Sequence, residues 1–456
     1  MTAGASSPAN IAPVDATENT TKQSESQMIH PVDARLRHTC LALVFAIAFL
    51  RVAHADSGAG TTHDETWQAA WGTAMQSVPP ATHAPLYNLA PAVAGRTVRE
   101  VIQVRTGGTL WRLRLSNRYG ETPVTITAGT LAQARNGAAL AGTPLPLTFG
   151  TAGSVTLAPG EERLSDPIAA ALQPGPLSIS LAIDDGTAAP RTWHKLSSQV
   201  TFVAAGDRTK DRAASAFHIG PTSWLFMDML LVATKPPAGV IVAIGDSITD
   251  GMRSTLNANA RWPDRLAERL AAQSNANDAR GNPTVVNMGI SGNRLLSDSP
   301  CYGKALRARF DHDALEIAGA RDIILLIGIN DINFQAMPPR AGLDCDFPHT
   351  KVTAVDLIDG YKDLIMRAHR AGKRLTGATL TPASLPPDRE KIRLAVNRWI
   401  RGGNGFDSII DFDQALRDPV HPSMLLRKYD SGDHIHPNDA GYRAMAAAIP
   451  LPFFAD

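Results

Sequence analysis

The stretch that most constrains the fold is Val240-Ile241-Val242-Ala243-Ile244, which runs directly into Gly245-Asp246-Ser247-Ile248-Thr249-Asp250-Gly251. Five consecutive small aliphatic residues read as a strand buried on both faces, because strands covered by helices above and below show unbroken apolar runs instead of alternation. The run stops at glycine, acid and serine, so Ser247 falls where the strand leaves the sheet. Open parallel sheets bind ligands at the carboxyl ends of their strands, and Gly245 and Gly251 let the backbone turn tightly around a presented side chain. Taken alone, the stretch fits a reactive serine facing a cleft and an ordinary strand-to-loop transition equally well.

The same apolar rhythm recurs downstream. Thr284 to Met288, Asp322 to Ile327, Arg374 to Leu380 and Ser408 to Phe412 are further strand candidates, with amphipathic helices between them. In the helix expected over Ala354 to Arg370, Val355, Ile358, Tyr361, Ile365 and Ala368 share a face at helical spacing. Five strand-helix units predict an α/β domain with a parallel sheet covered on both sides. Its active edge gathers the loops that follow each strand.

From about Thr66 to Thr234 the period is two. Leu110-Trp111-Arg112-Leu113-Arg114-Leu115 puts Trp111, Leu113 and Leu115 on one face and two arginines on the other, and Leu177 to Ile183 alternates again. Gly107-Gly108, Asn117-Arg118-Tyr119-Gly120, Pro159-Gly160 and Asp184-Asp185-Gly186 supply turns. An all-β sandwich with Greek-key or jelly-roll connections is expected over 56–235, joined through Lys235 to Gly239 to a catalytic domain over 238–456. Trp67, Trp71, Trp111, Trp193 and Trp224 fall in the β half. Two uses are open to them, packing in a core or between domains, and stacking on sugar rings in a carbohydrate-binding module.

The 44 basic and 43 acidic residues in a chain of 456 give no global field to draw nucleic acid or anionic lipid. Residues 1–55 look like an address. Arg35-Leu36-Arg37-His38 precedes an apolar stretch from Cys40 to Leu50, too short to span a bilayer, and then Ala53-His54-Ala55. This pattern predicts a signal peptide cleaved after Ala55, with Met28 as the true start, and a secreted or periplasmic protein with no stable membrane anchor; the alternative is an uncleaved membrane anchor. Cleavage removes Cys40 and leaves Cys301 and Cys345, which an exported protein joins in one disulfide; the alternative is two free buried thiols.

The loops after the strands repeat one kind of residue. Gly289-Ile290-Ser291-Gly292-Asn293-Arg294 follows the second strand, Gly328-Ile329-Asn330-Asp331 the third, and Asp433-His434-Ile435-His436-Pro437 lies near the C-terminus. With Ser247 these blocks spell serine, glycine, asparagine and histidine in order. Over 238 to about 449 the sequence resembles the SGNH hydrolases, also called GDSL lipases and esterases, with Ile248 where the name-giving motif has leucine. The resemblance implies a three-layer α/β/α fold of flavodoxin-like type, hydrolysis of esters and no cofactor. The longer phrases and the preceding β domain further resemble a branch of secreted bacterial arylesterases and acetylesterases that includes xylan-associated members.

Carried onto this chain, the resemblance makes Ser247 the nucleophile, His436 its base and Asp433 the partner of the far imidazole nitrogen, since a serine hydroxyl needs a base to attack at neutral pH. The oxyanion donors are the N–H groups of Ser247 and Gly292 and the side-chain amide of Asn330. Asp246 and Asp331 are expected to hold loop backbones. Asn293 and Arg294 border the expected cleft as candidate substrate contacts, with surface salt bridging as the alternative for Arg294. No metal is expected at His434, His436 and Asp433, because the triad already explains the spacing. The polar residues around the serine suggest a polar cleft and a short acyl group such as acetate, on an aryl alcohol or an acetylated polysaccharide. The rivals are a lipase or lysophospholipase acting on long acyl chains, and a carbohydrate-binding or O-acetyl-transferring protein. A loop between Asn333 and Val352 is a candidate lid.

Overall fold

Alternation makes the first half of the chain antiparallel. In the computed structural model, which describes residues 66–79, 89–235, 237–273, 282–335 and 344–454, one sheet runs in the order Thr66–Gly72, Met227–Thr234, Gly108–Ser116, Ile168–Leu172. The facing sheet centres on Arg96–Val104, Gly175–Ile183 and Val124–Asn136. Trp111, Leu113 and Leu115 from one and Ile102, Ile179 and Leu181 from the other are fully buried in a shared core. The period-two pattern therefore did mark the inner faces. Truncating a ring such as Trp111 to alanine in a core of this kind costs about 3–5 kcal/mol. The extension and signal peptide expected over 1–55, with Met28 and Cys40, lie outside the described residues, as do residues 336–343 of the candidate lid.

The second half builds a five-stranded sheet in the order Thr284–Gly289, Val240–Gly245, Ala320–Leu326, Arg374–Ala378, Ser408–Ile410. Every neighbouring pair is parallel. With the second strand outside the first and the third on its other side, this is the flavodoxin-like order, and the strand order reverses beside Val240–Gly245. The helices Trp262–Ala272, Ala354–Arg370, Pro387–Arg401 and Asp439–Ala447 accompany it. Helix Ala354–Arg370 starts with a capping box, Thr353 accepting from the Asp356 N–H and Asp356 accepting from the Thr353 N–H. Its buried face is Leu357, Gly360, Tyr361, Leu364, Ile365 and Ala368. Val355, assigned to that face from the sequence, is 64% exposed. The stripe is set by Leu357 and Leu364, seven residues apart, which turns Val355 outward. No helix among the described residues is long and apolar enough to cross a membrane.

All described residues belong to one unit, Thr62–Asp456, and the seam between its antiparallel and parallel sheets is built from buried contacts. The Ala69 N–H donates to Ala318 O at 2.9 Å, and Thr284 Oγ1 donates to Ala69 O at 2.6 Å. Ala69, Ala74, Met229 and Leu231 of the β half sit in the α/β core. Trp67 packs against that same core, under the guanidinium of Arg112 at 5.0 Å from its ring centre. Trp71, Trp111, Trp193 and Trp224 are buried, Trp71 edge-on to Trp224 at 4.9 Å. Of the two uses the sequence left open, packing is the one that Trp71, Trp111 and Trp224 serve. Arg114, on the outer face of its strand, is only partly exposed, its side chain 21% accessible. It donates to both oxygens of buried Asp228 at 2.8 and 2.9 Å. Beside it His312 bridges Asp313 at 2.6 Å and Glu162 at 2.9 Å.

Candidate active site

Ser247 opens the four-residue helix Ser247–Asp250 at the end of the first parallel strand. Asp246 caps it, its Oδ1 accepting from the Ile248 N–H at 3.0 Å. Burial pushes the Asp246 carboxyl up to about 7. Gly245 has to be glycine, because a Cβ there would lie 2.1 Å from the Leu326 carbonyl oxygen. The strand therefore turns against its neighbour without a side chain in the way, and Ser247 emerges only 5% exposed.

His436 reaches the serine from a loop 189 residues later. Its Nε2 lies 2.8 Å from Ser247 Oγ, and its Nδ1 lies 2.8 Å from Asp433 Oδ2. A carboxylate only accepts, so Nδ1 carries the hydrogen and Nε2 is left to accept from the serine hydroxyl. Asp433 Oδ1 also accepts from the N–H groups of Ile435 at 3.1 Å and His436 at 2.9 Å. Burial would raise this carboxyl, but the hydrogen bonds from the His436 ring and backbone outweigh it and hold Asp433 well below the usual carboxylate range. The three-residue spacing thus closes on itself as one turn of loop.

The loops after the second and third strands bring in the expected donors. Gly292 has φ +78°, and a Cβ there would lie 2.2 Å from the Tyr302 ring. Glycine is required because Tyr302 packs under the loop, a reason not visible in the motif. Asn330 Nδ2 donates to Asn293 O at 3.0 Å. An amide nitrogen has two hydrogens, so one anchors the side chain and the second is left for an oxygen in the pocket that Asn330 lines. Asp331 accepts from the Leu295 and Leu296 N–H groups at 2.8 and 3.0 Å, which fixes the loop that carries Gly292. Its carboxyl is pushed up to about 6 by burial.

Asn293 and Arg294 are not placed as substrate contacts. Asn293 is 0% exposed, donating to the Tyr302 and Lys304 carbonyls and accepting from Arg309 Nε at 3.0 Å. Arg294 is 2% exposed and donates to the carbonyls of Asp346 and Pro348, its guanidinium 4.8 Å from the Phe334 ring centre. Both side chains point into the protein and pin the segment that closes through the Cys301–Cys345 disulfide. Their neighbours Ser291 and Gly292 line the pocket instead.

That pocket, about 750 Å³, contains Ser247, His436, Gly292 and Asn330 on one side. Leu89, Pro91, Trp193, Leu196 and Pro221 of the β half and Met252, Tyr302, Phe334 and Ile435 of the α/β half also line it. Lys195, Thr222, Ser223, Ser291 and Asn333 line it as well, so the cleft expected to be more polar than a lipase tunnel is mixed, polar around the catalytic residues and apolar over much of its wall. Asn293, Arg294 and Asp331 turn inward to hold loops, Ser291, Asn330 and His436 of the same motifs face the pocket, and much of the apolar wall comes from segments outside the motifs. Trp193, Tyr302 and Phe334 were missed as wall residues. Trp193 was noticed only as one of several tryptophans, and nothing local marks the other two.

Among the described residues Glu162, Asp228 and His312 bring potential metal-binding atoms within 4.8 Å of one another. Arg114 already neutralises Asp228 at 2.8 Å and His312 already bridges Glu162, so this cluster is an ion-pair network. His434 is engaged by Asp430 at 2.6 Å, away from the triad.

Residues 243–444, which include Ser247, Gly292, Asn330, Asp433 and His436, match the GDSL-like Lipase/Acylhydrolase family. No curated protein matches the chain. Among solved structures, an acetyl xylan esterase from Geobacillus stearothermophilus is 21% identical, covering 46% of this chain and 93% of its own, with a TM-score of 0.33. An aryl esterase of M. smegmatis is 16% identical over 46% of this chain and 96% of its own, TM-score 0.34. An α/β hydrolase from the metagenome of Lake Arreo, Spain, is 25% identical over 46% and 93%, TM-score 0.34. Residues 243–444 form a domain of the GDSL-like lipase/acylhydrolase family, and the chain that carries it is a carboxylic ester hydrolase.

Proposed function

We propose that the chain is an exported serine esterase that cleaves carboxylic esters with an apolar, preferably aromatic, component through an acyl-Ser247 intermediate. The observation that carries this is the unbroken line from Asp433 Oδ2 through His436 to Ser247 Oγ, with 2.8 Å at both steps, in the lining of a pocket whose wall is largely apolar. His436 Nε2 takes the hydroxyl proton as Ser247 Oγ attacks the ester carbonyl, and Asp433 stabilises the imidazolium that results. The N–H groups of Ser247 and Gly292 and the Asn330 amide receive the oxyanion. Collapse of the tetrahedral intermediate breaks the bond to the alcohol, which leaves with the proton held by His436. Water then attacks the acyl-serine, His436 takes its proton, and the carboxylic acid is released as Ser247 Oγ regains a hydrogen.

The walls favour one substrate class. Trp193, Tyr302 and Phe334 suit a flat aromatic or apolar group better than a hydrated sugar chain, so aryl esters of short acids are favoured over acetylated polysaccharide. Export is supported by the Cys301–Cys345 bridge, a bond that persists in oxidising compartments. The test is a panel of nitrophenyl acetate, butyrate and octanoate, phenyl acetate and acetylated xylan, run with Ser247→Ala. Aryl acetates are expected to turn over fastest and the alanine variant not at all. Acetyl release mainly from xylan, or best turnover of octanoate, overturns the substrate class, and activity surviving in Ser247→Ala overturns the mechanism.

A further inference from the structure

The short helix that carries Ser247 ends in Asp250, and this carboxylate has an unusual set of partners. Its Oδ2 accepts from both the backbone N–H and the hydroxyl of Ser291, at 2.8 and 2.6 Å. Its Oδ1 lies 3.1 Å from Nε2 of His194, a residue of the β half on strand Thr192–His194. Asp250 and His194 are 1% and 2% exposed. The other contacts of the imidazole are both carbonyls, Ala74 O at 2.8 Å from Nδ1 and Leu196 O at 3.0 Å from Nε2. Every partner is an acceptor, so the ring donates from both nitrogens when all these contacts are made. Trp224 lies alongside it at 5.4 Å between ring centres and fixes its plane.

Ser291 immediately precedes Gly292, and Asp250 closes the helix that begins at Ser247. One buried carboxylate therefore ties together the two backbone segments whose N–H groups the proposed mechanism assigns to the oxyanion, and a histidine from the other half of the molecule holds that carboxylate in place. We propose that His194 is a positioning residue for ester hydrolysis. Through Asp250 it sets the spacing between the Ser247 and Gly292 N–H donors, so the β half completes the oxyanion hole as well as walling the pocket. The inference rests on the serine-esterase reading above. A donor pair is effective only when both members meet the developing negative charge, and a displacement of about 1 Å is enough to lose on the order of 10² in rate.

The test uses the full chain and nitrophenyl acetate, with rates expressed per active site titrated by an organophosphate. His194→Phe keeps a ring beside Trp224 and removes both donors. It is expected to lower kcat roughly 10- to 100-fold with KM within about twofold, and to weaken phenylboronic acid, a tetrahedral mimic, by a comparable factor. His194→Gln restores one donor and is expected to recover part of the loss. Ser291→Ala weakens the same tie from its other end, removing the hydroxyl bond and keeping the backbone N–H bond, and combining it with His194→Phe should cost little more than the worse single change. A merely structural histidine would lower the melting temperature or the titrated fraction and leave kcat per site and boronate affinity unchanged. That result, or additive losses in the double variant, overturns the proposal. If His194→Phe does not fold, the His194→Gln and Ser291→Ala pair decides in the same way, wild-type kcat and boronate affinity in both being the overturning result. Turnover retained by Ser247→Ala sinks the esterase reading itself, whatever the His194 variants show.

Discussion

Arg253 donates through Nε to Oδ2 of Asp433 at 3.0 Å, the same oxygen that accepts from His436 Nδ1 at 2.8 Å. The two donors are unequal. The Arg253 side chain is 55% exposed, and a solvent-screened pair of this kind contributes little. The imidazole is held at a fixed tautomer by that oxygen. Asp433→Asn, which offers an N–H where an acceptor is needed, is expected to lower kcat by about 10⁴, while Arg253→Gln stays within a few-fold of wild type. Steady-state rates on one aryl ester decide. Equal losses in both variants contradict the assignment of Asp433.

Asn330 is expected to matter in proportion to the charge it meets. Its amide is anchored to the Asn293 carbonyl at 3.0 Å, so it arrives preorganised. Asn330→Ala is predicted to reduce kcat by about 10² to 10³ and to change KM little, because the oxyanion exists only along the reaction path. A loss confined to KM would place the amide in ground-state binding instead.

The catalytic letters were legible in the sequence because each is bound to a local device. Ser247 sits at the end of an all-apolar strand, Asp433 and His436 share one turn, and Gly292 and Asn330 follow their strands directly. The parallel sheet was legible from the unbroken apolar run of Val240–Gly245 and from the shorter apolar stretches that recur after it. The pocket walls were not. Trp193 lines the serine's pocket only because an antiparallel half docks on a parallel one, and no short pattern encodes that docking. Asn293 and Arg294 were misread through adjacency. Their backbone passes the site, but their side chains turn inward to carbonyls of residues 302, 304, 346 and 348.

The disulfide is predicted to support the pocket wall as well as the fold. Cys301 and Cys345 are separated by 44 residues. Closing a loop of that length contributes about 4 kcal/mol in the chain-entropy model. Tyr302 follows Cys301 directly and packs under Gly292, and the Cys301 carbonyl accepts from Gln76 Nε2 of the β half at 3.0 Å. Replacing both cysteines with serine is therefore expected to lower the melting temperature by several degrees and to reduce kcat as well. Unchanged kcat with lowered stability would confine the bridge to the fold.

The seam carries its own titration. Burial alone would lower the His312 imidazole, but its hydrogen bonds to Asp313 and Glu162 outweigh that and push it up to about 9. The folded value lies above the reference value of about 6.5, so the folded state binds the proton more tightly than the unfolded chain. The stabilisation is then complete below about pH 6.5 and is lost as the pH rises through about 9. His312→Gln removes the titrating group and leaves an amide in its place. Its melting temperature is expected to fall roughly 2–4 °C below wild type at pH 6, with the gap closing by about pH 9.5. Melting curves of both proteins across that range check the sign. A gap that widens with pH would mean that His312 is neutral in the folded protein and that Arg114 alone balances the seam carboxylates.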